Sequence, residues 1–230
     1  MVPFLRNRYR VIALDLPGFG YSSIPADANF DELFFRHSVV EFIETLDLRN
    51  ITIAGESIGG VLALTIAAVL PERVACVVSL NPYDYGEKFG GGVRRSRFGF
   101  LIALFEVFPS RTIETSFALK LVLSGGFVDP RNLPHSLFQK LVRVGTRKGY
   151  RSAEYRLYKN WGSWLDARKL YRNVKVPITL AYGARDWSKP QERESRKDAL
   201  HPERYAVFEH TGHFSALENP EAVAGLILAG

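Results

Sequence analysis

Short apolar runs alternate along the chain with longer segments in which apolar residues recur at helical spacing. The runs predict β-strands at residues 9–14, 51–54, 74–80, 178–182 and 205–208. The longer segments predict helices over residues 39–46, 57–70 and 220–229, the last with proline in its first turn. Strands that alternate with helices favour a mostly parallel sheet covered on both faces, so the predicted fold class is α/β.

The pattern changes between residues 85 and 172, where helical stretches follow one another without strand-like runs. We therefore predict a helical cap (a lid) over residues 85–172, inserted into a core made by residues 1–84 and 173–230. Open α/β sheets bind ligands beyond the carboxyl ends of their strands. The cap is expected to cover that end of the sheet.

Two apolar features of the cap have alternative interpretations. The run at residues 98–105 either lines an acyl pocket, touches a membrane surface or packs between cap and core. Four aromatic residues spaced three apart either wall a pocket or form the core of the cap; they are Tyr155, Tyr158, Trp161 and Trp164. Packing is the commoner role for both features.

The composition, with 47% hydrophobic and 23% charged residues, is typical of a globular protein, and 230 residues suffice for one substantial core. The single cysteine, Cys76, excludes a disulfide framework and fits a reducing compartment. No run reaches the roughly 18 apolar residues of a membrane-spanning helix. The first ten residues lack the apolar region of a signal peptide. A soluble, intracellular protein is predicted, either cytoplasmic or organellar.

The net charge of +6 is unevenly distributed. The predicted cap carries 17 basic and 6 acidic residues, whereas the remainder carries 13 basic and 18 acidic residues. The cap therefore offers either an ordinary solvated face or a peripheral contact with anionic lipid or an acidic substrate, for which Arg94, Arg95 and Arg97 are candidates. Nucleic-acid binding is not expected, because no recognised module accompanies the charge.

A serine between glycines follows the predicted strand at residues 51–54. Residues 55–59 read GESIG and join that strand to the next predicted helix. A sharp strand-to-helix turn strains the backbone of Ser57 and exposes its hydroxyl, and small residues at Gly55 and Gly59 allow the close approach. Ser57 is thus the candidate nucleophile, and the Ile58 N–H at the helix N-terminus is a candidate oxyanion donor.

A serine hydroxyl needs an adjacent base, and the base needs an orienting partner. His213 follows the predicted strand at residues 205–208 and is the candidate base, with His210 as the alternative. Asp186 follows the strand at residues 178–182 and is the candidate acid, with Asp84 after the strand at 74–80 as the alternative. All these residues lie at strand ends, which meet at one edge of a parallel sheet.

These motifs resemble the cap-bearing branch of the α/β-hydrolase superfamily, which includes epoxide hydrolases, haloalkane dehalogenases and serine esterases. The resemblance lies in residues 11–22 (VIALDLPGFGYS), the turn at 51–60, the acid strand at 178–187 and the histidine loop and last helix at 205–228. Epoxide hydrolases and dehalogenases place an aspartate where this chain has Ser57.

The resemblance therefore implies hydrolysis of a small, moderately hydrophobic ester or related carbonyl compound through an acyl-enzyme. It implies a Ser57–His213–Asp186 triad and no metal or cofactor. Cofactor-free haloperoxidases and carbon–carbon bond hydrolases of the superfamily share this triad and remain alternatives.

The N-terminal region departs from the family pattern. The resemblance implies several strands earlier in the chain, one of which lies in the sheet between the strands at residues 9–14 and 51–54. It also implies a His-Gly loop that supplies a second oxyanion N–H. No His-Gly pair precedes residue 9. We expect the chain to be the C-terminal part of a longer hydrolase. The alternative is a catalytically impaired relative that binds a ligand or a partner.

Overall fold

The computed structural model describes residues 1–99 and 116–230. Within these ranges four strands form one parallel sheet in the order β1-β2-β3-β4. The strands are β1 Ile51–Glu56, β2 Val74–Leu80, β3 Ile178–Gly183 and β4 Arg204–Phe208. The α/β fold class and four of the five predicted strands are confirmed.

Helices pack on both faces of this sheet and occupy the described part of the segment between β2 and β3. They are α1 Val2–Leu5, α2 Glu32–Thr45, α3 Ile58–Val69, α4 Gly90–Val93, α5 Ser116–Gly125, α6 His135–Gly145, α7 Tyr150–Lys159, α8 Trp161–Asp166, α9 Pro190–Leu200, α10 Ser215–Glu218 and α11 Pro220–Leu228. In the same ranges, 3₁₀ turns lie at Pro130–Asn132 and Ala167–Asn173. None of the helices in the described ranges is long and apolar enough to cross a membrane.

The two central strands separate two apolar layers. Val77 and Leu180 pack with residues of α3 on one face of the sheet. Val78 and Ala181 pack with residues of α11, including Val223, on the other face. Strands covered on both sides read as nearly continuous apolar runs, which explains why β2 and β3 were recognisable from their composition.

Residues 9–14 form no strand, so that prediction is wrong. Within the described residues β1 pairs with β2 alone, and no strand fills the intermediate position that the family resemblance implies. An extended segment without a neighbouring strand has no partner for a ladder of backbone hydrogen bonds, so it is not a β-strand. It instead runs towards α11, where the Tyr9 hydroxyl donates to the Ile227 carbonyl at 3.1 Å. Ile12 and Leu14 consequently remain 42% and 40% exposed.

The segment between β2 and β3 contains helices and turns but no strand among its described residues. The four aromatic residues of this segment differ in burial. Trp161 and Trp164 are buried in an apolar cluster, whereas Tyr155 is 50% exposed. Most of the apolar run at 98–105 lies outside the described residues. The cap boundaries at residues 85 and 172 remain a prediction.

A buried ion pair ties both ends of this segment to α9. The Asp84 carboxylate accepts hydrogen bonds from Arg196 Nε at 2.8 and 2.7 Å and from the Tyr171 hydroxyl at 2.7 Å. Burial raises the pKa of Asp84, and the Arg196 charge opposes that rise. Because Asp84 precedes the helical segment and Tyr171 lies near its end, this cluster anchors both connections.

Candidate active site

Ser57 stands between β1 and α3 in a backbone conformation that L-residues rarely adopt, with φ +60° and ψ −125°. Such a residue is strained, and the surrounding structure has to hold it. Its N–H donates to the Leu80 carbonyl at 2.9 Å, and its carbonyl accepts from the Tyr83 N–H at 3.2 Å. The end of β2 therefore supports the sharp turn that the sequence predicted.

The two glycines of the motif differ in their roles. A Cβ at Gly55 would lie 2.0 Å from the Gly59 carbonyl oxygen, so only glycine fits there. A Cβ at Gly59 would meet nothing within 4 Å, so its predicted contribution to a close approach is wrong. The close contact on the helix side occurs at Gly60, where a Cβ would lie 3.0 Å from the Leu80 carbonyl oxygen.

The structure brings Ser57, His213 and Asp186 together in one hydrogen-bonded row. The Ser57 Oγ and His213 Nε2 atoms are 2.9 Å apart. On the other side of the imidazole, His213 Nδ1 and Asp186 Oδ1 are 2.5 Å apart. His213 is 1% exposed and Asp186 is 8% exposed, whereas Ser57 keeps partial exposure. The hydroxyl is thus the accessible end of a buried polar chain.

The Asp186 carboxylate is held in its charged form. Burial by itself would raise the pKa of Asp186, but the His213 ring and the Ser188 hydroxyl and N–H outweigh burial and lower it. The Ser188 N–H donates to Oδ2 at 2.9 Å, and the Tyr85 hydroxyl donates to the same oxygen at 3.4 Å. An ionised carboxylate facing Nδ1 favours the tautomer in which Nε2 can accept a proton from a hydroxyl.

The two alternative residues lie elsewhere. His210 is exposed in the turn after β4. Asp84 belongs to the buried cluster with Arg196 and Tyr171. Arg95, a candidate for binding anions, is engaged by Glu192 in a bidentate ion pair of 2.6 and 3.0 Å. The geometry therefore favours His213 and Asp186 over their alternatives.

Asn81, which the sequence analysis missed, connects three parts of the site. Its side-chain amide donates to the His213 carbonyl at 2.9 Å and to the Ser215 hydroxyl at 2.7 Å. Its amide oxygen accepts the Gly183 N–H at 2.8 Å, at the end of β3. Asn81 is fully buried with φ +44°, so the residue after β2 fixes the backbone of the histidine loop. The sequence did contain a signal for this role, namely an asparagine placed directly after a strand that is predicted to be buried.

Glu56 places a second carboxyl beside the row. Its Oε1 accepts the Ala216 N–H at 3.1 Å, which joins the end of β1 to α10. Burial raises the pKa of Glu56 from 4.5 to about 7, although the nearby His213 and backbone donors oppose this. Glu56 therefore changes charge near neutral pH, and its carboxyl group interacts electrostatically with the His213 imidazole.

We expect the Glu56→Gln variant to gain stability relative to the parent protein as pH rises. The folded parent holds the Glu56 proton more tightly than the unfolded chain, so this stabilisation is complete below pH 4.5 and is lost as pH rises through about 7. At about 1.4 kcal/mol per pH unit, the difference between the two free energies of unfolding should change by roughly 3 kcal/mol between pH 4 and pH 8. Urea unfolding of both proteins across this range measures it. A difference that stays constant with pH would contradict the assignment.

Ile58 is the first residue of α3, directly after Ser57. The N–H groups of a first helical turn have no acceptor within their own helix, and the helix dipole makes them electropositive. The Ile58 N–H is therefore available for an oxygen that carries negative charge next to Ser57.

Comparison with known proteins assigns the family. The model of the alpha/beta hydrolase fold matches residues 1–220, and the chain belongs to that family. The prediction that the protein is a hydrolase is confirmed by this family and by relatives that are named as hydrolases and esterases.

Two curated relatives align with nearly the whole chain. A 2-hydroxymuconate semialdehyde hydrolase from Pseudomonas sp. (strain CF600) is 26% identical over 99% of this chain and 78% of its own length. A pimeloyl-[acyl-carrier protein] methyl ester esterase from Neisseria meningitidis is 26% identical over 98% of this chain and 69% of its own length. Another curated relative is longer, so the chain spans only 57% of it.

A solved structure shows the same fold. The structure of Cfl2 from Burkholderia cenocepacia superimposes with a TM-score of 0.82 at 22% identity. The match covers 99% of this chain and 81% of that one. The two proteins therefore share this arrangement of sheet and helices although their sequences differ at most positions.

Proposed function

We propose that the protein is a serine hydrolase that cleaves an ester or related carbonyl substrate through an acyl-enzyme. The observation that carries the proposal is the row in which Ser57 Oγ lies 2.9 Å from His213 Nε2 and His213 Nδ1 lies 2.5 Å from Asp186 Oδ1. Nucleophile, base and orienting acid in hydrogen-bond reach are the signature of this chemistry.

In the proposed mechanism Ser57 Oγ attacks the substrate carbonyl while His213 accepts its proton. Asp186 stabilises the imidazolium that forms, and the Ile58 N–H donates to the oxyanion. His213 then protonates the leaving group, and water, activated by the same histidine, releases the acyl group from Ser57. Each proton taken from a nucleophile is returned to a leaving group, so the enzyme is restored.

A small, moderately hydrophobic ester is the proposed substrate class. The rings of Tyr83, Trp187 and Phe214 pack around His213, and this apolar environment of the base supports a substrate with apolar groups near the scissile carbonyl. The Neisseria relative is named as a methyl ester esterase, which agrees with this class. Carbon–carbon bond hydrolysis is the second candidate, because the Pseudomonas relative is named as a semialdehyde hydrolase.

Labelling with a fluorophosphonate tests the proposal directly. We expect Ser57 Oγ to attack phosphorus and displace fluoride, giving a stable adduct that mass spectrometry locates on the peptide containing Ser57. Ser57→Ala should abolish the adduct. His210→Ala, which replaces the exposed histidine near His213, should not abolish it. A folded protein that fails to label would favour the alternative of a binding protein without hydrolase activity.

A further inference from the structure

The indole of Trp187 lies flat on the imidazole of His213. The two ring centroids are 3.9 Å apart and the planes differ by 15°. Both residues are buried, at 7% and 1% exposure. The other aromatic neighbours, Tyr83 and Phe214, approach the imidazole edge to face, with planes 76° and 74° from it. Among the aromatic side chains that the structure describes, Trp187 is thus the one whose π face covers the imidazole.

Contacts from the segment between β2 and β3 hold this indole in place. Trp187 Nε1 donates to the Gly125 carbonyl at 3.2 Å, at the end of α5. Arg95, just beyond α4, donates to the Trp187 carbonyl at 3.2 Å. A Cβ at Gly126 would lie 3.1 Å from the indole, so the backbone directly after α5 packs against it. The position of the ring therefore depends on the helical segment as much as on the loop after β3.

The same segment also forms hydrogen bonds with the histidine loop, which contains Gly212 and His213. The His213 N–H donates to the Gly126 carbonyl at 2.7 Å. Glu218 accepts the Gly212 N–H at 2.6 Å and the Val128 N–H at 2.8 Å. The turn after α5 therefore fixes both rings of the stack relative to each other.

We propose that Trp187 is a positioning residue that holds the imidazole of His213 in its hydrogen-bonded plane and stabilises its charged form. This inference rests on the proposed function, in which His213 becomes an imidazolium when it takes the Ser57 proton. The face of an indole attracts a cation, and the attraction is larger in a dry site. The neutral ring gains less, so the contact favours the transition state over the ground state.

Several other groups in the described residues face the same ring and act on its charge. Asp186 faces Nδ1 and Ser57 faces Nε2. Glu56 interacts with the imidazole from the end of β1. Tyr83 is uncharged at neutral pH, because burial raises its pKa to about 12. A substitution at residue 187 retains all of these groups, so a comparison of leucine with phenylalanine at that position isolates the effect of the aromatic face.

The test compares Trp187→Leu, which keeps an apolar side chain but removes the aromatic face, with Trp187→Phe, which keeps a smaller one. Trp164→Leu is the matched control, since Trp164 is also a buried tryptophan but stacks on Trp161 rather than on His213. Nuclear magnetic resonance of the His213 Cε1–H proton is the first readout. We expect a ring-current upfield shift that Trp187→Leu removes, and a change to the charged form that occurs at lower pH in Trp187→Leu than in Trp187→Phe or the control.

Steady-state kinetics on a p-nitrophenyl ester is the second readout. We expect Trp187→Leu to lower kcat by roughly 10- to 30-fold with KM little changed, while Trp187→Phe recovers most of the loss. The proposal is overturned if leucine and phenylalanine give the same His213 titration and the same rate. The resonance readout needs no substrate, so it still decides the inference if the protein proves inactive and the proposed function fails.

Discussion

Replacing His213 with alanine is expected to lower kcat by roughly a million-fold, because residues 1–99 and 116–230 then offer the Ser57 hydroxyl no other base within hydrogen-bond distance. The imidazole is the link between Ser57 Oγ and the Asp186 carboxylate, at 2.9 and 2.5 Å. Loss of the base should leave binding of the substrate largely intact, so the effect falls on kcat rather than on KM. Initial rates on a p-nitrophenyl ester, measured at several substrate concentrations, separate the two.

His210→Ala is the matched control for this prediction. His210 lies three residues earlier in the same loop and is exposed, so its removal changes the same side chain without touching the hydrogen-bonded row. We expect its kcat to stay within about two- to threefold of the parent value. If His210→Ala loses activity and His213→Ala retains it, the assignment of the base is wrong.

The second large effect is expected from Asp186→Asn, which should lower kcat by about ten-thousand-fold. The amide keeps the size of the side chain but carries no charge, so it neither secures the required tautomer of His213 nor stabilises the imidazolium. The pKa of Asp186 is lowered in the folded protein, so the parent protein keeps this negative charge at neutral pH. Fluorophosphonate labelling of Ser57 should slow in parallel with kcat, which is the independent measurement.

Asp84→Asn tests the alternative acid and should act on stability instead. It leaves Arg196 buried with an incomplete partner, and breaking a buried ion pair typically costs about 3–5 kcal/mol. We expect the free energy of unfolding to fall by about that amount while kcat of the folded protein changes only a few-fold. The double variant Asp84→Asn with Arg196→Met removes the uncompensated charge and provides a folded control if the single variant unfolds. A ten-thousand-fold loss of kcat in a folded Asp84 variant would reverse the two assignments.

The raised pKa of Glu56 and the position of Trp187 show what could not be predicted from the sequence. Glu56 occupies a variable position of the motif, and its raised pKa follows from burial against α10, which lies 160 residues later in the chain. Trp187 directly follows Asp186, yet no local pattern indicates that an indole will lie 3.9 Å from an imidazole. Such effects depend on the packing of distant segments, so they have no signature in a short stretch of sequence.

The failed strand at residues 9–14 illustrates a related limit. Its composition is that of a strand, but a strand exists only where a neighbour supplies backbone hydrogen bonds. In the described residues the position beside β1 holds no such neighbour, and the segment contacts α11 instead. Local propensity was therefore overruled by the absence of a pairing partner in that part of the fold.

The sequence by itself determined the alternation of strands and helices, the strained turn at Ser57 and the family, because apolar periodicity and glycine spacing are local properties of the chain. The tertiary structure alone brought His213 rather than His210, and Asp186 rather than Asp84, into the hydrogen-bonded row at Ser57. It did so because Asn81 and the turn after α5 pin the histidine loop by hydrogen bonds from remote segments. Which of two imidazoles three residues apart reaches the hydroxyl depends on that three-dimensional path.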